Sequence, residues 1–150
     1  MSEQERRDRG AAFALFRVTL GINIFLHGFV RIWAGVGKFV AAMAPGFDDS
    51  MLPNVLVVAS LWLIPWLEAV IGAALILGFQ TRTSLLSGGL LMTLLVAGTA
   101  FKSDWSTLGI QMLYVLCYYH LICHARFDDW GIDAMTRSRT AALSGDSVSQ

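Results

Sequence analysis

Four apolar runs dominate the chain, near residues 11–30, 55–79, 83–101 and 106–125, with polar or turn-forming segments between them. The second, Val55 to Phe79, holds 25 residues and a single charge, Glu68. About 20 consecutive apolar residues suffice to cross a bilayer as a helix. These runs are too long for strands and lack their period-two alternation. The pattern predicts an all-α fold, a four-helix transmembrane bundle. Phe79-Gln80-Thr81-Arg82 is a short turn, so helices 2 and 3 must be antiparallel neighbours.

The loop from Arg31 to Asn54, between helices 1 and 2, is longer and contains Pro45-Gly46 and Asp48-Asp49. It reads either as a lid or docking surface, or as an interfacial amphipathic helix over Ile32 to Met43. Residues 1–135 are expected to form one four-span membrane domain. The tail from 136 to 150 is rich in Ser, Thr and Ala and is expected to be disordered. Arg6, Arg7 and Arg9 before an apolar stretch superficially resemble a signal peptide. The stretch Gly10–Val30 is 21 residues, against a usual signal core of about 7–15. It is therefore taken as a retained first span. No internal repeat is found, which gives little support to an inverted-repeat transporter.

Composition agrees with burial in lipid. Only 15% of residues are charged, against about 25% in soluble domains. Lys plus Arg and Asp plus Glu are both 11, so no charge excess points to a nucleic-acid partner. With four spans, both termini share one side with Arg6, Arg7, Arg9, Arg82, Arg126, Arg137 and Arg139. The opposite side has Arg31, Lys38 and Lys102. This asymmetry predicts cytoplasmic termini.

Polar residues inside the runs carry the candidate chemistry. Arg17 and Glu68 each cost about 2.5–3.5 kcal/mol at a helix centre on insertion scales. Similar depths suggest that they meet, with Gly21, Gly28 and Gly72 letting helices 1 and 2 approach. Such a pair is either a fold-specifying ion pair or a catalytic one, with Arg17 on a ligand and Glu68 carrying protons. Pro65 is expected to kink the second span near Glu68. Asn23, His27 and Arg31, four residues apart, form a stripe that either lines a polar cavity or snorkels to headgroups. Gln111, Tyr114 and Tyr118 share one face of the fourth span and either contact a flat ring ligand or pack in the core. Trp62 and Trp66 point away from Glu68 by helical angle. Cys117, His120 and His124 have a spacing that can hold a metal, yet no fourth ligand is evident. No metal, nucleotide or iron–sulfur site is predicted. Cys117 and Cys123 lie at separated angles and do not suggest a disulfide.

Arg17-x3-Gly21 followed by His27-Gly28-x-x-Arg31, and Glu68-x3-Gly72 followed by Leu75-x-Leu77-Gly78-x-x-Thr81-Arg82, resemble the DoxX-like membrane proteins. The resemblance covers roughly Phe13 to Asp133. It implies a small four-helix protein of a bacterial-type inner or plasma membrane, related to the small subunit of thiosulfate:quinone oxidoreductase. By that resemblance Arg17, His27, Glu68 and Arg82 occupy the family's characteristic polar positions. Two positions depart from the pattern. Arg31 replaces a frequent Lys, and the third span lacks a His that many members carry.

The resemblance implies a redox-complex subunit that binds quinone or a similar hydrophobic carrier in the bundle. No residue carries electrons unaided, so it would be a non-autonomous subunit of a quinone-linked oxidoreductase. A partner protein would hold the redox centre, and membrane lipid would surround the spans. A non-catalytic scaffold or assembly factor, and a small transporter, are the competing readings.

Overall fold

A computed structural model describes residues 1–136 and 139–140. The expected disordered tail falls largely outside them, and so does Arg137. The described residues are helical throughout, with no strand among them. Five helices follow in order: α1 (Glu3–Ala34), α2 (Val36–Met43), α3 (Asn54–Leu77), α4 (Thr81–Phe101) and α5 (Trp105–His124). Of these, α1, α3, α4 and α5 are long and apolar enough to cross a membrane.

α1 begins earlier than its apolar run. The Ser2 hydroxyl accepts from the Glu5 amide at 3.1 Å, and Ser-x-x-Glu is a helix-start pattern. Arg7–Glu3 and Arg9–Glu5 pairs one turn apart extend the helix through its polar end. At the far end Gly35 adopts φ 99°, a conformation that disfavours side chains. The chain turns there into α2.

The 31–54 loop thus contains a short helix, as the interfacial-helix reading expected. α2 is not a free lid. Val36 and Val40, one turn apart, are buried against Val57 and Leu61 of α3, also one turn apart.

α3 runs unbroken through the buried Pro65. It ends where Gly78 takes φ 64°. The Phe79 amide bonds the Ala74 carbonyl at 3.0 Å and the Gly78 amide bonds Leu75 at 3.3 Å. This is the Schellman ending that glycine makes accessible. α4 follows immediately. α5 starts at Asp104, whose carboxylate accepts from the Thr107 hydroxyl at 2.7 Å and from the Thr107 amide at 3.1 Å. Those bonds hold the Asp104 carboxyl below the usual carboxylate range.

α1 packs chiefly on α3, and α4 on α5. The main core gathers Leu20 and Ile24 from α1, Ile71 and Leu75 from α3, Leu85, Leu91 and Met92 from α4, and Tyr118 and Leu121 from α5. Trp62 and Trp66 are about half exposed on the outer face, in agreement with their helical angles.

The α1–α3 seam is glycine-lined, as expected. A methyl group on Gly21 would stand 2.9 Å from the Ile76 nitrogen, and one on Gly72 would stand 2.6 Å from the Phe25 Cα. One on Gly28 would collide with the Pro65 carbonyl and reach within 3.0 Å of the Glu68 Cβ. These obstacles are mostly backbone, which cannot rotate aside. Gly28→Ala and Gly72→Ala are therefore expected to destabilise by about 1–3 kcal/mol, the usual range for overpacking. Gly98 has nothing within 4 Å of such a methyl, so Gly98→Ala should be neutral or stabilising. Thermal unfolding of the three variants in mild detergent checks the contrast.

Candidate functional site

The structure separates the two buried ions that the sequence reading joined. Arg17 and Glu68 do not pair. Gly21 lies against Gly72 and Leu75, and Gly28 against Pro65 and Glu68. This register sets Arg17 beside the last turn of α3, about 10 Å along the axis from Glu68. The cation that meets Glu68 is Arg31, which follows Gly28 by three residues.

Arg17 is 2% exposed. Its guanidinium donates to the Leu75 carbonyl at 2.8 Å and to the Trp130 carbonyl at 2.6 Å. Its Nε lies 3.7 Å from the Asp128 carboxylate, itself buried. Gly78 and Gly131 form the walls. A methyl on Gly78 would stand 2.9 Å from Arg17 Cζ, and one on Gly131 would stand 3.3 Å from Nη2. Both glycines also have positive φ, 64° and 144°.

Asp133 completes this end of the bundle. Its carboxylate accepts from the Gln80 and Thr81 amides at 2.9 and 2.7 Å, and its own amide donates to the Gly78 carbonyl at 3.0 Å. A carboxylate there meets the free amides and positive dipole end of α4. One arginine and two aspartates thus tie α1, the α3–α4 turn and the segment after α5 together. The sequence reading gave no role to Asp128, Gly131 or Asp133, and took Trp130 only as a membrane-interface aromatic. Three aspartates beside a glycine, directly after an apolar run, were the available signal.

Glu68 is 4% exposed, in the middle of α3. Its carboxylate forms an ion pair with Arg31 Nη1. The Arg31 side chain remains 28% exposed and its guanidinium lies over the Phe39 ring at 4.7 Å, a cation–π contact. α2 therefore closes over the pair from the loop side.

Tyr118 is 1% exposed and its hydroxyl has no hydrogen-bond partner among the described residues. The phenol fits only because position 88 is glycine: a methyl there would collide with the ring and the hydroxyl. Asn23 Oδ1 and Gln111 Oε1 are likewise buried without a partner among the described residues. Tyr114 is half-buried against the main core. The structure thus sets Arg31 on Glu68. It leaves Arg17 in a separate setting.

Cys117, His120 and His124 do not converge. The His120 and His124 rings stack at 4.2 Å, and His124 Nδ1 bonds the His120 carbonyl at 2.8 Å. Among the described residues no three His, Cys, Asp or Glu side chains are grouped to hold a metal ion. Both cysteines are free.

The polar positions on α1 and α3, with their glycine spacing, agree with a known family. A family model described as DoxX matches residues 12–103. The chain belongs to the DoxX family. With four spans, it is a multi-pass membrane protein. No curated protein and no solved structure matches it. The DoxX match takes in Arg17, Arg31 and Glu68 and stops before α5. The Arg17 partners at Asp128 and Trp130, and the Tyr118 phenol, lie beyond it.

The two ionic settings predict different responses. Arg17→Met would leave Asp128 and two carbonyls buried without their cation. Breaking a buried pair in this way typically costs about 3–5 kcal/mol. Glu68→Gln leaves Arg31 partly exposed and still stacked on Phe39, so the loss should be much smaller. Unfolding midpoints in detergent, compared side by side, measure the difference.

Proposed function

We propose that this DoxX protein is a membrane subunit of a redox complex that binds quinone, or a comparable hydrophobic carrier, inside the bundle beside Glu68. The observation that carries this reading is a carboxylate buried at mid-bundle and ion-paired on one side, with a buried, unpartnered phenol in the same bundle. A buried ionisable group within a span is by default a functional candidate. An unsatisfied buried hydroxyl costs about 1–3 kcal/mol, so a ligand acceptor would stabilise it.

The residues fit a ring bearing carbonyl oxygens. Tyr118 would donate to one carbonyl. Arg31, held by Phe39 and Glu68, would polarise another. Asn23 and Gln111 would add amide donors from α1 and α5. Quinone would supply the two-electron, two-proton chemistry. Glu68 would hold or release a proton at its carboxylate, and exposed His27 would exchange it with the surroundings. Electrons would come from an oxidoreductase partner. The arginine asymmetry supports cytoplasmic termini, and the family likeness supports a bacterial-type inner membrane.

A second reading, a non-catalytic scaffold, is favoured by Arg17. Its donors are committed to backbone and to Asp128, which is structural work.

Purification in mild detergent with quinone extraction tests the first reading. Wild type is expected to retain quinone or to bind an added short-chain analogue. Glu68→Gln and Tyr118→Phe should keep helix content while weakening binding by about tenfold each, the size of one lost buried hydrogen bond. Unchanged binding in both variants would refute a site at Glu68.

A further inference from the structure

A second site lies at the other end of the molecule from α2. A cavity of about 290 Å³ opens between the start of α1 and the end of α5. Phe13, Phe16 and Leu121 give it an apolar floor, while Arg9, His120 and His124 supply basic groups. Among the described residues no carboxylate lines it.

One guanidinium, Arg9, lines the cavity, and a second, Arg126, shares with it the ring of the lining residue Phe127. The buried Phe127 ring carries Arg126 at 4.7 Å and Arg9 at 5.6 Å from its centroid. Phe16 packs against His120 with ring centroids 5.8 Å apart, so the aromatic floor continues up α5. The nearby acids are already engaged: Glu5 bonds Arg9 at 2.8 Å, and Asp129 lies 3.5 Å from Arg6. Arg9 retains further donors, since a guanidinium has five. Arg126 is exposed, with its guanidinium carbon over the Phe127 ring.

The shape selects the ligand. Small-molecule sites usually enclose about 300–1,000 Å³ and bury most of their ligand. This one is at the bottom of that range and opens outward. Ala12 and His120 on its rim are exposed. In a four-span protein, that outward face meets lipid at headgroup depth. The occupant must then be anionic at the arginine end and apolar along Phe13 and Phe16. Basic pockets between spans have this relation to acidic lipids.

We propose that the cavity between α1 and α5 binds one anionic phospholipid, its phosphate between Arg9 and Arg126 and its first acyl carbons on the Phe13–Phe16 floor. The site is independent of Glu68 and of any quinone.

The test uses the full chain in micelles doped with phosphatidylglycerol or phosphatidylcholine. Native mass spectrometry and thermal unfolding are read in parallel. One phosphatidylglycerol should be retained with about tenfold preference over phosphatidylcholine, and it should raise the unfolding midpoint. The double variant Arg9→Gln/Arg126→Gln should lose that preference while keeping its helix content. Ala12→Trp fills the cavity from an exposed position without removing charge, and it too should abolish retention. Equal retention of the two lipids by wild type would overturn the proposal. So would full preference surviving in Ala12→Trp, because attraction would then be general to the surface. An equal stabilisation by soluble glycerol phosphate would also overturn it, by identifying a free-anion site.

Discussion

A guanidinium that cannot shed its proton must have its donors satisfied wherever it is buried, and Arg17 is buried within a bundle that hydrocarbon surrounds. Its setting answers most of that demand: Nη1 and Nη2 are hydrogen-bonded, and Nε has an ion-pair partner at 3.7 Å. The last turn of α3 offers a carbonyl, the segment after α5 offers another, and Asp128 offers a countercharge. Two glycines leave room for the planar group. Because these partners come from two separate stretches of chain, α1 cannot shift along α3 without exposing them. Asp133 continues the same arrangement by capping α4. This end of the bundle, at the α3–α4 turn, is thereby tied by polar bonds as well as by the packing of Phe13, Leu75, Leu121 and Phe127; in lipid, apolar contact alone gives little drive between helices.

The lock fixes a register, and the register decides which cation reaches Glu68. Gly21, Gly28 and Gly72 allow backbones to touch at three levels along the seam. With Gly28 against Glu68, the Arg31 side chain reaches the carboxylate and Arg17 does not. Depth counted from the helix ends brought Arg17 and Glu68 within reach of one another. That count assumed both helices start at the same level. α1 instead begins at Glu3, well before its apolar run, because Ser2 caps it and charge pairs extend it.

What the sequence made legible was the part governed by local pattern. The four spans, the short turn at 79–82 and the glycine seam follow from hydropathy, turn chemistry and helical spacing. His27, Arg31 and Glu68 were each marked as polar residues in apolar surroundings, but in separate groups. The pairing was not legible, since it depends on axial offset between helices, which no single helix encodes. Asp128 and Asp133 escaped for a related reason. They sit in a polar segment, where carboxylates need no explanation, and their role exists only once that segment folds back onto α1 and α4. Tyr118 was marked as either a ligand contact or core. It is core by burial, yet its hydroxyl lacks the partner that core tyrosines normally have.

The separation of the two arginines changes what each can do. Had Arg17 neutralised Glu68 at the centre of the bundle, the pair would have been closed on itself, and any ligand would have had to break it. Arg17 is instead committed to backbone, and Glu68 meets a cation that is still 28% exposed and held by an aromatic ring from α2. Such a cation can swing outward at modest cost, since its long stem reaches the interface. Rearrangement of Arg31 would free Glu68 without disturbing the Arg17 lock. The fold therefore assigns rigidity to one ionic site and adjustability to the other. Of the two buried carboxylate–arginine settings, the one at Glu68 alone has a cation that reaches the surface.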